Sequence, residues 1–295
     1  MSLTEEGSNS AMDLDNKRIS RIDSHQHFWE YDPQQYPWIQ SDWPIRKSFL
    51  PRDLKPLLDK AGFDGCVAVQ ARQSVEETRW LLGLAAENRF IAGVVGWVDL
   101  RSEHLAKHLD EFEGNPRLSG VRHVVQDEPD DDFMLRADFQ RGIAELKHHS
   151  LAYDILIFPR QFPAAIQLAR KFPEQRFVLD HIAKPEIRHQ TMEPWREQIR
   201  ELAKTPNVYC KLSGMVTEAN WHQWRLDQFR PYLDVVWEAF GEDRLMVGSD
   251  WPVCLLSADY SLTIGVVENF LEQFSKPTRE KVLGGNAIRF YNLKV

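Results

Sequence analysis

Eight short apolar runs, each followed by a stretch with helical spacing, recur from residue 21 to the C-terminus. Few folds accommodate that alternation. The runs are Arg21–His25, Gly65–Ala71, Ile91–Val98, Gly120–Val125, Ala152–Phe158, Phe177–His181, Val208–Ser213 and Leu245–Ser249. Most are continuously hydrophobic, the pattern of parallel strands covered by helices. Between them, Ser74-Val75-Glu76-Glu77 predicts a helix opened by a capping box. Leu105, Leu109 and Phe112 share one face before Gly114, and Trp195, Ile199 and Leu202 do so before Pro206. Ile264, Val267, Leu271 and Phe274 repeat the spacing near the C-terminus. Eight β–α units within 295 residues match one closed barrel, so the chain is expected to form a single (β/α)8 TIM barrel over 18–295. An open doubly wound sheet is the alternative, but no Gly-x-Gly-x-x-Gly turn follows any run. Residues 1–17 are polar and aperiodic and read as a flexible leader.

Charge and motifs exclude several functions. A net charge of −8 disfavours nucleic acid or an anionic membrane as a partner. No apolar run approaches the roughly 20 residues of a membrane span, and no signal-peptide pattern opens the chain. Three cysteines, Cys66, Cys210 and Cys254, are an odd number, two of them inside apolar runs. They suit reduced core thiols in a cytoplasmic protein better than a disulfide framework. No phosphate-binding loop and no Gly-x-Ser-x-Gly elbow occurs, which disfavours nucleotide chemistry and a serine esterase route. The composition is compatible with a homo-oligomer.

In a barrel of this kind chemistry sits where strands end. His25 and His27, at i and i+2 on the first run, project to one side and suit either metal ligands or a paired electrophilic and acid–base site. Later rims carry Gln70 and Arg72, Trp97 and Asp99, Arg122 and His123, Tyr153 and Asp154, and Asp180-His181 with Lys184. Lys211 lies on the seventh run and Ser249-Asp250-Trp251 at the end of the eighth. Polar groups are costly in a packed barrel interior, so this clustering needs a reason. The first connection, Phe28 to Leu50, is long and holds Trp29, Tyr31, Tyr36, Trp38, Trp43 and Phe49. It is either a self-packed flap or an aromatic wall over the catalytic face. His104 and His108 flank the apolar stripe of their helix and belong to its solvated side.

The runs IDSHQHFW, AVQAR, GWVDL, GVRH, LDHIAKP, CKLSG and GSDWPVC, in this order from Arg21 onward, resemble the amidohydrolase superfamily and within it the lactonase branch. The resemblance implies a metal-dependent-hydrolase type of barrel that opens sugar acid lactones such as L-fuconolactone or L-rhamnonolactone. Many amidohydrolases hold two metals through His-x-His, a lysine on strand four, histidines on strands five and six and an aspartate on strand eight. Here Arg122-His123 and Tyr153-Asp154 stand where the lysine and one histidine would be. A two-metal centre is therefore not expected. His25, His27, His181 and Asp250 suit at most one divalent ion, zinc foremost, and none is expected to be obligatory.

Under that resemblance Asp250 is the general base, and His25, His27 and His181 polarise the lactone carbonyl. The substrate's hydroxyls would meet Arg72, His123, Tyr153 and Lys184, and its apolar ring face Trp29 or Trp97. Lys211 is expected deeper, in an ion pair. Two other readings keep the barrel: a zinc-dependent decarboxylase or hydrolase of muconate-type or aromatic acids, and a silent sugar-acid binder.

Overall fold

The computed structural model describes residues 21–295; the expected leader at 1–17 lies outside them. Eight strands follow one another in a single sheet, every neighbouring pair parallel. They are β1 (Ile22–Gln26), β2 (Gly65–Val69), β3 (Ile91–Gly96), β4 (Leu118–His123), β5 (Ala152–Ile155), β6 (Phe177–Leu179), β7 (Val208–Leu212) and β8 (Leu245–Val247). The first and last strands meet: Asp250 N donates to His25 O at 2.8 Å and His27 N to Trp251 O at 2.6 Å. The expected barrel is thus present, with a strand in each of the eight apolar runs.

Side-chain parity divides the barrel into two cores. Val67, Val69, Ala92 and Val95 face inward and pack on Phe290, Tyr291 and Leu293 of the C-terminal segment. Cys66, Ala68, Ile91 and Val94, their immediate neighbours, face the helices. Arg176, just before β6, donates to the Phe290 carbonyl, so the C-terminal segment closes the end where strands begin. The helices bury the predicted stripes: Leu105 and Leu109; Trp195, Ile199 and Leu202; and Ile264, Val267 and Leu271. All three cysteines are buried and unpaired. Among the described residues no helix is long and apolar enough to cross a membrane.

One irregularity decides where the histidines point. Between Asp23 and Gln26 three steps of β1 pair with two of β2, a bulge of one residue. Ile22 faces the interior. Regular alternation would then aim Ser24 and Gln26 inward as well. The extra residue reverses the parity: Gln26 instead reaches the outward Cys66, and His25 and His27 turn into the barrel.

The long first connection is both of the things expected of it. Trp29 and Phe49 pair their backbones, and Trp29, Tyr36, Ile39, Ile45 and Phe49 are buried, continuous with the core between sheet and helices. Trp38 and Trp43 are left facing a cavity at the strand ends.

Candidate active site

The cavity, of about 900 Å³, opens at the C-terminal ends of the strands, with His27, Arg122, His181 and Asp250 in its wall. Asp250 Oδ1 is the point on which three imidazoles converge. It lies 3.3 Å from His27 Nε2 and 3.8 Å from both His25 Nε2 and His181 Nε2. Burial pushes the Asp250 carboxyl up, but His181 and His27 outweigh it and hold the group below its ordinary range, as a carboxylate.

Each ring is oriented from behind. His27 Nδ1 is 2.8 Å from the Val69 carbonyl, which only accepts, so this nitrogen carries the proton and Nε2 faces Asp250. His181 Nδ1 is 2.9 Å from Ser213 Oγ. His25 is fully enclosed: Nδ1 lies 3.3 Å from Asp180 Oδ1 and 3.0 Å from Lys211 Nζ, and Nε2 lies 3.3 Å from Arg122 Nη1. Desolvation, reinforced by the Lys211 charge, depresses the His25 pKa well below 6.5 and keeps the ring neutral. Asp180 is held far down as well: desolvation opposes its ionisation, and Lys211, His25 and Arg122 overcome it.

The backbone at this site is strained. His181, Ile182, Ala183 and Lys184 all have φ between 48° and 59°, a left-handed turn of four non-glycine residues, and Asp250 has φ 57°. Each costs about 1–2 kcal/mol, and such strain collects at functional sites. It ends β6 at Leu179, two residues before the apolar run ends. The Trp195 indole, donating to the Ile182 carbonyl at 2.7 Å, pins the turn. Gly214 leaves the room it needs: a Cβ there, at φ 65°, would stand 2.6 Å from His181 Cγ. Gly214→Ala should therefore cost about 1–3 kcal/mol in urea unfolding and lower turnover together with it, because the clash is with a ring facing Asp250.

Of the residues expected to contact substrate, Arg72 and Lys184 line the cavity. Lys184 Nζ is 3.8 Å from Glu218 Oε1, which also lines the cavity. Four others do not line it, two of them, His123 and Tyr153, by strand parity. Arg122 and Asp154 point into the barrel, so their neighbours His123 and Tyr153 point out to the helices. His123 stacks on Phe133 and pairs with Glu128, and Tyr153 packs between Phe139 and Phe177. Trp97 turns its indole toward His123, 3.4 Å away. Trp29 is wholly buried, its Nε1–H given to the Lys47 carbonyl at 2.7 Å. The aromatic wall is instead Trp38, Trp43 and Trp221. Lys211 sits, as expected, in a buried ion pair with Asp154 at 2.6 Å.

Glu77 joins the wall to the floor. The Ser74 side chain caps Glu77 N, but the Glu77 carboxylate does not return to Ser74 as a capping box would have it. It accepts from Tyr36 Oη at 3.0 Å and from the backbone N–H groups of Ala71 and Arg72, both at 2.9 Å. Burial raises its pKa to about 7. The folded state then binds this proton more tightly than the unfolded chain, so the group loses stability as pH rises through 7. Glu77→Gln cannot ionise. Its stability relative to wild type should rise between pH 5 and pH 8 in urea titrations; a pH-independent difference would contradict this.

The donor set suits a divalent ion in kind. One ligand atom each from His25, His181 and Asp250 lie within 4.8 Å of one another, and imidazole nitrogen with carboxylate oxygen is a zinc-type combination. Val69 and Ser213 are the kind of outer partners that orient ligating rings.

The amidohydrolase family model matches residues 22–293. The L-fucono-1,5-lactonase of Burkholderia multivorans is 43% identical, over 92% of this chain and 96% of its own. The L-fucono-1,5-lactonase of Burkholderia ambifaria is 40% identical over the same shares. A crystal structure of a Burkholderia multivorans amidohydrolase with bound zinc superposes with a TM-score of 0.90 at 43% identity, covering 93% of this chain and 99% of that one. By sequence and by fold, this chain belongs to the amidohydrolase family.

Proposed function

We propose that this protein is a lactonase that hydrolyses sugar acid lactones, with L-fucono-1,5-lactone as the leading substrate. The observation that carries the reading is the pair of relatives at 43% and 40% identity, both named L-fucono-1,5-lactonase and each covered over 96% of its length. The geometry supports it independently. An ionised carboxylate ringed by imidazoles at the floor of a polar and aromatic cavity is what activating water beside a carbonyl requires.

Asp250 accepts the proton of the attacking water and returns it to the ring oxygen as the carbonyl–oxygen bond breaks. His27 and His181 face the same carboxylate oxygen and orient it. Arg122, a buried cation in the cavity wall, adds positive potential where the oxyanion develops. Trp38, Trp43 and Trp221 offer the apolar ring face a surface, and Arg72 and Lys184 offer donors to its hydroxyls.

His25, His27, His181 and Asp250 would hold one divalent ion, which when bound supplies Lewis-acid polarisation of the carbonyl. Arg122 Nη1 lies 3.3 Å from His25 Nε2, and its charge disfavours a cation beside that nitrogen. That supports reading the metal as at most one and not obligatory.

A pH-indicator assay over aldono-1,4- and 1,5-lactones, with and without chelator, tests both parts. Turnover of the 1,5-lactone of L-fuconate that survives chelation is expected. No turnover on any lactone would overturn the activity, and complete loss on chelation with recovery on zinc would overturn the metal statement.

A further inference from the structure

Glu218 is a charged group of the cavity wall to which the mechanism gives no task. It ends the short helix Met215–Glu218 after β7, in which Met215 and Val216 are buried. Two hydrogen bonds fix that helix. The Thr217 hydroxyl donates to the Gly214 carbonyl at 2.8 Å, and the Trp221 indole N–H donates to the Thr217 carbonyl at 2.9 Å. Trp221 meets Trp43 edge to face, with ring centroids 6.0 Å apart. The carboxylate therefore stands on a fixed element beside the aromatic wall.

Its counter-charge is Lys184, on the strained turn after β6. Lys184 Nζ lies 3.8 Å from Glu218 Oε1 and 5.7 Å from the centroid of the Phe158 ring. The two side chains are only 19% and 24% exposed. Burial pushes the Glu218 carboxyl up, against the pull of Lys184. A separation of 3.8 Å is an attraction but not a direct hydrogen bond. A hydroxyl about 2.8 Å from each partner spans such a gap. It accepts from the ammonium and donates to the carboxylate. A carboxylate or ring ether oxygen only accepts, so it would meet Lys184 and leave Glu218 unsatisfied. Arg72 follows β2, half the circuit of the eight strands from β6, and addresses another side of a bound ring.

We propose, resting on the lactonase reading, that Glu218 is a specificity-determining residue. With Lys184 it reads one ring hydroxyl of the substrate through a donor–acceptor bridge.

The test is a ligand-by-variant cycle on L-fucono-1,5-lactam, in which a ring N–H replaces the scissile oxygen, and on its 2-, 3- and 4-deoxy forms. Tryptophan fluorescence titration gives each Kd. In wild type, removing one of the three hydroxyls should weaken binding about 10-fold or more, the cost of a hydrogen bond to a charged group. In Glu218→Ala the same removal should cost less than about threefold, because the partner is already gone. The other two removals should keep their wild-type factors. Lys184→Met should silence the same hydroxyl. On L-fucono-1,5-lactone, the loss in Glu218→Ala should fall in KM, about 10-fold, rather than in kcat. A merely structural Glu218 would weaken all four lactams alike. Removals that cost the same factor in variant and wild type at every position overturn the assignment, as does a wild type that binds none of the lactams. If wild type binds the lactams but opens no lactone, the lactonase reading falls alone and the cycle still decides Glu218.

Discussion

Asp250→Asn should lower kcat on the preferred lactone by about 100- to 10,000-fold, the range over which a positioned acid–base group acts. The amide keeps the shape and the neighbours but neither takes a proton from water nor hands one to a leaving alkoxide. Because three imidazole nitrogens lie 3.3–3.8 Å from Oδ1, the substitution also removes the negative charge on which they converge. KM should change far less, as Arg72, Lys184 and the tryptophan wall are untouched. Steady-state kinetics on variant protein checked for native fold measures the split. A variant within tenfold of wild-type kcat would show that another group activates the water.

Lys211→Met should produce the largest loss of stability of any substitution at the site. Lys211 is the shared cation of Asp154 and Asp180, all three fully buried. Removing one partner of a buried ion pair costs about 3–5 kcal/mol; here Asp154 is left buried without an ion-pair partner and Asp180 with Arg122 alone. The pH dependence has a definite sign. Burial has already raised the Asp154 pKa to about 6 despite Lys211. Without the lysine both carboxyls shift upward, and the folded variant binds protons that its unfolded chain does not. Its stability then falls as pH rises. The deficit against wild type, measured by urea unfolding, should be wide at pH 8 and narrower at pH 5. A deficit that widens on acidification would contradict this account of the network.

The architecture was legible because it rests on periodicity. Eight apolar runs became eight strands, and the stripes at Leu105, Trp195 and Ile264 became buried helix faces. The converging groups His25, His27, His181 and Asp250 were legible too, as polar residues at run ends with nothing apolar to do there. Which neighbour at a rim points inward was not. Strands of a covered parallel barrel are apolar on both faces, so alternation carries no phase. That is why His123 and Tyr153 were expected where Arg122 and Asp154 stand. The bulge at Asp23–Gln26 and the left-handed turn at His181–Lys184 are set by tertiary partners, the Asp23 clamp on Ser249 and the Trp195 indole among them. In the aromatic loop, Trp29 and Trp38 are chemically alike. Only the pairing of Trp29 with Phe49 assigns one to the hydrophobic core and leaves the other to the cavity.

Hydrolysis of L-fucono-1,5-lactone in 18O-enriched water, with enzyme in excess over the spontaneous reaction, tests most directly whether this site delivers water to a lactone carbonyl. Fragment mass spectrometry of the product should place a single heavy oxygen in the C1 carboxylate, at a rate lost in Asp250→Asn. Label at the C5 hydroxyl, or product formed at equal rate by the Asp250 variant, would contradict the mechanism.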